Sequence, residues 1–302
     1  MDENKNPINN TISGVLIVDK PIGMTSHQVV QEIRKGTRIK RAGHTGTLDP
    51  RASGVLVVLV GPAVRLSQYI SAEDKRYQAN IKLGEKTDTY DGEGKITGTS
   101  DVEVTFEQLS GGLKQFVGEI KQVPPPYSAV KVKGKHAYDL ARKGEEVQLE
   151  PRLINVYSLD LLEWASPEAV VDVHCSSGTY VRSLAYDLGE LLGCGAYLTG
   201  LRRTKSGRFT LRDATSLRKL QEAFETNSWY QYLIPAAEAL SDWNSITLSN
   251  EEVEAVKHGL RIPREEGFDK MVRAITEQGE LVGLMEYDPE NKEYQPRKVF
   301  FT

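Results

Sequence analysis

Residues 43–60 read GHTGTLDPRASGVLVVLV. Through Gly54 the stretch sets one carboxylate, one imidazole and two threonine hydroxyls among glycines; from Val55 it turns into an uninterrupted apolar run. Asp49 is the only acid between Glu32 and Glu73, and it follows a basic cluster of Arg34, Lys35, Arg38, Lys40 and Arg41. A lone carboxylate among cations stays ionised, because nearby positive charge favours the charged form. Gly43, Gly46 and Gly54 allow left-handed turns or a close approach to a ligand. Two readings of Asp49–Pro50 are open. Asp as N-cap with Pro in the first turn is a good helix start; alternatively, the segment is a loop that carries chemistry into a strand buried on both faces over 55–60.

Working outward, GVLIVD at 14–19 is a strand-length apolar run followed by the turn K-P-I-G-M. Thr25 or Ser26 then caps a helix with Val29, Val30 and Ile33 on its apolar face and Gly36 at its end. Residues 76–83 alternate polar and apolar as a strand does, and TDTYDGEGK is a turn-rich loop. Three prolines at 124–126 open an extended loop, after which YSAVKVKGKHAY alternates like a basic hairpin and DLARKGEE suits a short helix. Residues 170–175 read as a strand, and 180–192 as a helix with Leu184, Ala185, Leu188, Leu191 and Leu192 facing a core.

A boundary is expected at about 235–246. Beyond it lie a helix at 250–258, strands at 271–276 and 281–287 joined by E-Q-G-E, and a last run at 298–301. Short strands and helices without regular β-α alternation favour an α+β body.

At 302 residues, 39% hydrophobic and 26% charged, the chain has the composition of a globular protein. The expectation is a cytoplasmic protein. No apolar run reaches the roughly 18 to 20 residues of a membrane span, and residues 1–13 are polar, read as a disordered tail without a signal-peptide core. Cys175 and Cys194 have no CxxC spacing and the five histidines no HxxxH, so no metal site is expected. The formal charge of −4 hides a split: residues 1–212 hold 28 basic against 25 acidic side chains, residues 213–302 hold 10 against 17. Positive charge gathers at 34–41, 131–143 and 202–212, and such stripes bind phosphate whatever the whole-chain charge.

Four segments, KPIGMTS at 20–26, GHTGTLDPRASG at 43–54, QVPPPYSAVKVKGKHAYDLARKG at 122–144 and CSSGTYVRSLAYDLGELLG at 175–193, occur in that order, with KRY at 75–77, LGEKTDTYDGEG at 83–94 and LRRTKSGRF at 201–209. Together they resemble the TruB family of tRNA pseudouridine synthases. The resemblance implies a mixed-sheet catalytic body over 14–240, with an insertion at about 122–152 that closes over RNA, and a small β-rich, PUA-like domain at 246–302. It further implies that a uridine in the T loop of tRNA, conventionally position 55, is isomerised to pseudouridine without a cofactor by a monomer acting on the tRNA T arm.

Breaking the N-glycosidic bond leaves an electron-poor ribose carbon, which an ionised carboxylate can stabilise or trap. By match to the family motif that carboxylate is Asp49. Arg182 would ion-pair with it, Tyr77 would stack on the extruded uracil, Tyr180 would meet base or ribose as a hydrogen-bond partner, and Leu201 would line the pocket. His44 would fill the place the flipped base leaves, and Lys20 with Pro21 would support the site from behind. The alternatives are a tRNA-binding folding chaperone, in which Asp49 is a helix cap, and a pseudouridine synthase acting on another RNA.

Overall fold

The computed structural model describes residues 12–128, 130–132, 134–137, 140 and 149–300. The tail expected over 1–13 lies, up to residue 11, outside the described residues, as does most of the helix expected at 139–146. Packing divides the chain into two compact units: residues 1–49, 56–71 and 212–302 form one, and residues 50–55 and 72–211 the other.

The first unit is built on strand β1 (Gly14–Lys20), helix α1 (Ser26–Thr37), strand β2 (Ala42–His44) and the later part of strand β3 (Ala52–Val60). Every residue of β3 is buried, as an unbroken apolar run requires. β2 pairs antiparallel with its far end, Ala42 opposite Val60 and His44 opposite Val58. β1 pairs in parallel with Thr215–Ser216 and antiparallel with Leu233–Pro235. Thr25 caps α1 through a full capping box with Gln28, and Val29, Val30 and Ile33 are buried on it.

Gly36 does not end α1. The helix runs on to Thr37, and Arg38 takes the left-handed position at φ 60°. Gly36 instead makes room, since a Cβ there would lie 2.1 Å from the ring of Phe224 on helix α4 (Leu217–Glu225).

The same unit holds the C-terminal module: β9 (Ser245–Thr247), α5 (Asn250–Lys257), β10 (Ile262–Pro263), β11 (Val272–Ile275), β12 (Leu281–Asp288) and β13 (Glu293–Val299). Its sheet order is β9-β11-β12-β13-β10, around a core of Leu248, Val256, Ile262, Val272, Ala274, Val282, Met285 and Tyr294. The last strand begins at Glu293, ahead of the run expected at 298–301, and Pro296 sits at its register shift against β12.

In the second unit the strand order is β3, β8 (Ala196–Ser206), β4 (Lys75–Leu83), β7 (Glu168–Cys175), β6 (Arg152–Ala165) and β5 (Gly118–Gln122). β8 pairs in parallel with β3, and the others pair antiparallel. The alternation of β4 shows directly, with Lys75, Tyr77, Ala79, Ile81 and Leu83 buried. Helix α3 (Val181–Leu192) buries Leu184, Ala185 and Leu188, whereas Leu191, expected in the core, is 46% exposed. Helix α2 (Phe106–Lys114) packs against α3. The basic hairpin forms as expected, Lys131–Val132 against Lys135–His136.

Candidate active site

No helix follows Asp49. Pro50 and Arg51 form a turn that enters β3 at Ala52, so Asp49 sits on the connection between β2 and β3 and the helix-cap reading fails. This places a carboxylate on a loop between two strands of one sheet, the usual way a scaffold presents chemistry.

The loop is fastened in the first unit by contacts from the KPIGMTS segment. Ser26 Oγ accepts a hydrogen bond from the Leu48 amide at 2.8 Å and donates to the Leu48 carbonyl at 3.0 Å. Thr45 N donates to Val57 O at 3.1 Å, extending the β2–β3 pairing past His44. Lys20 is fully buried, and its Nζ donates to the carbonyls of Pro21 at 2.9 Å and Met24 at 2.5 Å. It therefore pins the turn that leads into α1.

In the second unit the ladder registers order the other candidates. Leu201 lies between Ala52 of β3 and Ala79 of β4, and Arg203 between Gly54 and Tyr77. Tyr77 and Leu201 thus occupy alternate rows, separated by that of Arg202, beside the first residues of β3. Tyr77 is 9% exposed and faces inward with Lys75 and Ala79. Burial, with the Arg203 guanidinium beside it, pulls the Lys75 amine down to about 8. Gly54 adopts φ +100°, and a Cβ there would stand 2.2 Å from the Arg203 carbonyl oxygen; only glycine lets these two backbones approach so closely.

Tyr180 is the N-cap residue of α3 and has no side chain suited to capping. Gln122, 2% exposed at the end of β5, does this from outside: its Oε1 accepts from Tyr180 N at 2.8 Å and its Nε2 donates to Tyr180 O at 3.0 Å. Arg182 is not a surface helix residue. Its side chain is 11% exposed, forms an ion pair with Asp91 at 3.1 Å and donates to the Tyr127 carbonyl at 3.1 Å. Asp91 is itself held by the Thr89 hydroxyl at 2.6 Å and the Glu93 amide at 3.0 Å. Ser183 Oγ donates to Val123 O at 2.8 Å, so the first turn of α3 fastens the chain entering and leaving the proline run.

Asp91 and Gln122 had no role assigned from the sequence, and Ser26 only that of a candidate helix cap. Each stood inside a quoted motif, but nothing in the spacing tells which distant backbone a polar side chain will meet.

The basic stretch at 202–212 is only partly exposed. Arg203 is 2% exposed and donates from Nε to the Val55 carbonyl at 2.7 Å, and Lys205 lies 3.6 Å from Asp74, which also pairs with His174. Burial pushes the Asp74 carboxyl up, but the His174 and Lys205 contacts outweigh it and leave it lowered. Arg208 remains exposed, over the Phe209 ring at 5.3 Å. The side chains of the basic hairpin lie outside the described residues. Among the described residues no cluster of three or more His, Cys, Asp or Glu could hold a metal ion, and no helix is long and apolar enough to cross a membrane.

Residues 34–181 match the family described as "TruB family pseudouridylate synthase (N terminal domain)", and residues 182–241 match "tRNA pseudouridylate synthase B C-terminal domain". The chain is 41% identical over 296 residues, 98% of both chains, to "tRNA pseudouridine synthase B" of Thiobacillus denitrificans. It is 47% identical over 253 residues, 82% of this chain and 83% of the relative, to the protein of the same name from Symbiobacterium thermophilum. Among solved structures it resembles a chain of "Crystal Structure of a Cbf5-Nop10-Gar1 Complex" at 28% identity and TM-score 0.76, covering 99% of this chain and 88% of that one. A chain of "Structure of H/ACA RNP bound to a substrate RNA containing 2'-deoxyuridine" follows at 26% and 0.75, with coverage of 99% and 88%.

Proposed function

The chain belongs to the TruB family of pseudouridylate synthases, and from that membership we propose that it converts a uridine in the T loop of tRNA, conventionally position 55, to pseudouridine with Asp49 as the reacting carboxylate. The observation that carries the tRNA substrate is the 41% identity along 98% of a relative named for tRNA. The rearrangement is an isomerisation: one C–N bond breaks, the uracil turns, and a C–C bond from its C5 to the ribose replaces it, the C5 proton passing to solvent while the freed N1 takes one up. The net composition is unchanged and nothing is oxidised or reduced, so the chemistry calls for no cofactor.

In this reading the target nucleotide leaves its stack, as any enzyme acting on a base within folded nucleic acid requires. The buried ring of Tyr77 offers the extruded uracil a stacking surface, Leu201 two rows away closes the apolar side, and His44 at the end of β2 fills the vacated place. Arg182 orients the Asp49 carboxylate while the ribose carbon becomes electron-poor. Tyr180 serves base or ribose as a hydrogen-bond partner, and Lys20 holds the turn behind. The basic hairpin at 131–136 and its flanks close over the RNA arm by contacts to its backbone, a shape-based recognition suited to folded RNA. The catalytic body spans 14–240, and the module at 246–302, which has its own core, is a PUA-like RNA-contacting appendage. We place the protein in the cytoplasm as a monomer acting on the tRNA T arm.

The test is tritium release from tRNA labelled at C5 of uridine, with no guide RNA present, followed by mapping of the modified nucleotide. The native chain releases tritium from a single T-loop position; Asp49→Asn binds tRNA with near-native affinity and releases none. Normal turnover by the Asn variant removes the nucleophile. Native protein inactive on tRNA alone, but active once guide RNA and partners are added, moves the substrate to another RNA.

A further inference from the structure

We propose that Ser26 is a positioning residue for the reaction, holding Asp49 through the backbone of the residue before it. The inference rests on the reading of Asp49 as the reacting group and adds what fixes it in place. Ser26 is 2% exposed and opens α1, whose N-terminus is set independently by the Thr25–Gln28 capping box, with bonds of 2.7 and 3.1 Å.

From that fixed point one oxygen brackets both polar groups of Leu48, accepting from its N–H and donating to its C=O. The carbonyl of Leu48 belongs to the peptide that carries the nitrogen of Asp49, so the bracket holds the plane from which the Asp49 side chain departs. Leu48 is 3% exposed, which leaves no water to replace a lost hydroxyl. A glycine-studded loop would otherwise sample many backbone states, and a nucleophile misplaced by about 1 Å costs on the order of 100-fold in rate. The Lys20 contacts to Pro21 and Met24 brace the same turn one step further back.

Single-turnover pseudouridine formation with enzyme in excess, tRNA affinity and thermal melting are measured for Ser26→Ala, Ser26→Cys and Thr25→Ala. Thr25→Ala removes the helix cap next door without touching Leu48, and so reports the effect of lost stability alone. Ser26→Ala is expected to lower the single-turnover rate about 10- to 100-fold with affinity within about twofold of native. Ser26→Cys, a weaker donor and acceptor of similar shape, falls between, and Thr25→Ala melts earlier at the native rate.

A native rate in Ser26→Ala overturns the proposal, as does a rate loss matched by Thr25→Ala at equal melting temperature. If Ser26→Ala does not fold, Ser26→Cys decides by the same criteria. Asp49→Asn in the same assay keeps the two readings apart: an active Asn variant sinks the nucleophile, whereas an inactive one beside a fully active Ser26→Ala sinks only the positioning.

Discussion

Replacing Gly54 with alanine tests the close approach of β3 to β8 directly. A Cβ at this position meets three backbone atoms of Arg203, the oxygen at 2.2 Å and the carbon and nitrogen at 2.9 Å. None of these can swing aside as a side-chain tip would. Arg203 is paired on its other edge with Tyr77, and its side chain is 2% exposed and bonded to Val55 O. Positive φ in a residue other than glycine costs about 1–2 kcal/mol, and forcing extra volume into a packed interior adds about 1–3 kcal/mol. The sum, about 2–5 kcal/mol, is a large share of the roughly 5–15 kcal/mol that holds a native protein together.

Gly23 supplies the control, since it has φ +90° with nothing within 4 Å of its would-be Cβ, so Gly23→Ala carries the strain without the clash. At roughly 2–4 °C per kcal/mol, Gly54→Ala should melt about 4–20 °C below native and Gly23→Ala only about 2–8 °C below. Urea denaturation of both variants gives the difference free of calorimetric irreversibility. Equal destabilisation of the two, within about 1 kcal/mol, would refute the steric account of Gly54.

Burial, reinforced by the Glu190 charge, raises the Asp187 carboxyl on α3 to about 6 from its usual 3.8. The folded state therefore holds this proton more tightly than the unfolded chain does, and stability from this group is lost as pH rises from about 4 to about 6. Asp187→Asn should be more stable than native at pH 7.5 by about 1–3 kcal/mol, with the gap closing by pH 4 in denaturation curves; a pH-independent gap contradicts the assignment. The half-buried Arg182–Asp91 pair should show coupling of about 1–3 kcal/mol in a cycle of Arg182→Gln, Asp91→Asn and the double variant. Strict additivity of the two single changes would mean that the pair contributes orientation without stability.

What could be read from the chain was whatever depends on near neighbours in sequence. The apolar run ending in Val60 and the alternation from Arg76 to Leu83 announced β3 and β4, and Thr25 or Ser26 marked the start of α1. Misreadings came where a remote residue changed the meaning of a local signal. Gly36 looked like a helix stop because glycine usually is one, yet it serves Phe224, which arrives from α4. Pro296 and the charges around it hid β13, because a proline is tolerated where the ladder slips register. At the site, the loop bearing Asp49 was recognisable by its composition, but the helix-cap and loop readings could be separated only once Ala52 was found in a strand. The partners Asp91, Gln122 and Ser26 act on Arg182, Tyr180 and Leu48 from other parts of the chain, and no periodicity encodes such meetings.

Strand β1 lies beside the early strand β3 but finds its remaining partners only at Thr215–Ser216 and Leu233–Pro235, and β3 contributes residues to both units. A nascent chain on the ribosome therefore cannot complete its first unit until the last third has emerged, although β1 is among the earliest parts made. Non-local pairing of this kind slows folding and leaves a sticky apolar strand waiting. Premature stop codons near residue 211 should accordingly yield no useful half-protein but a substrate for chaperones and proteases, and the gene should resist being split into separately expressed pieces at that point.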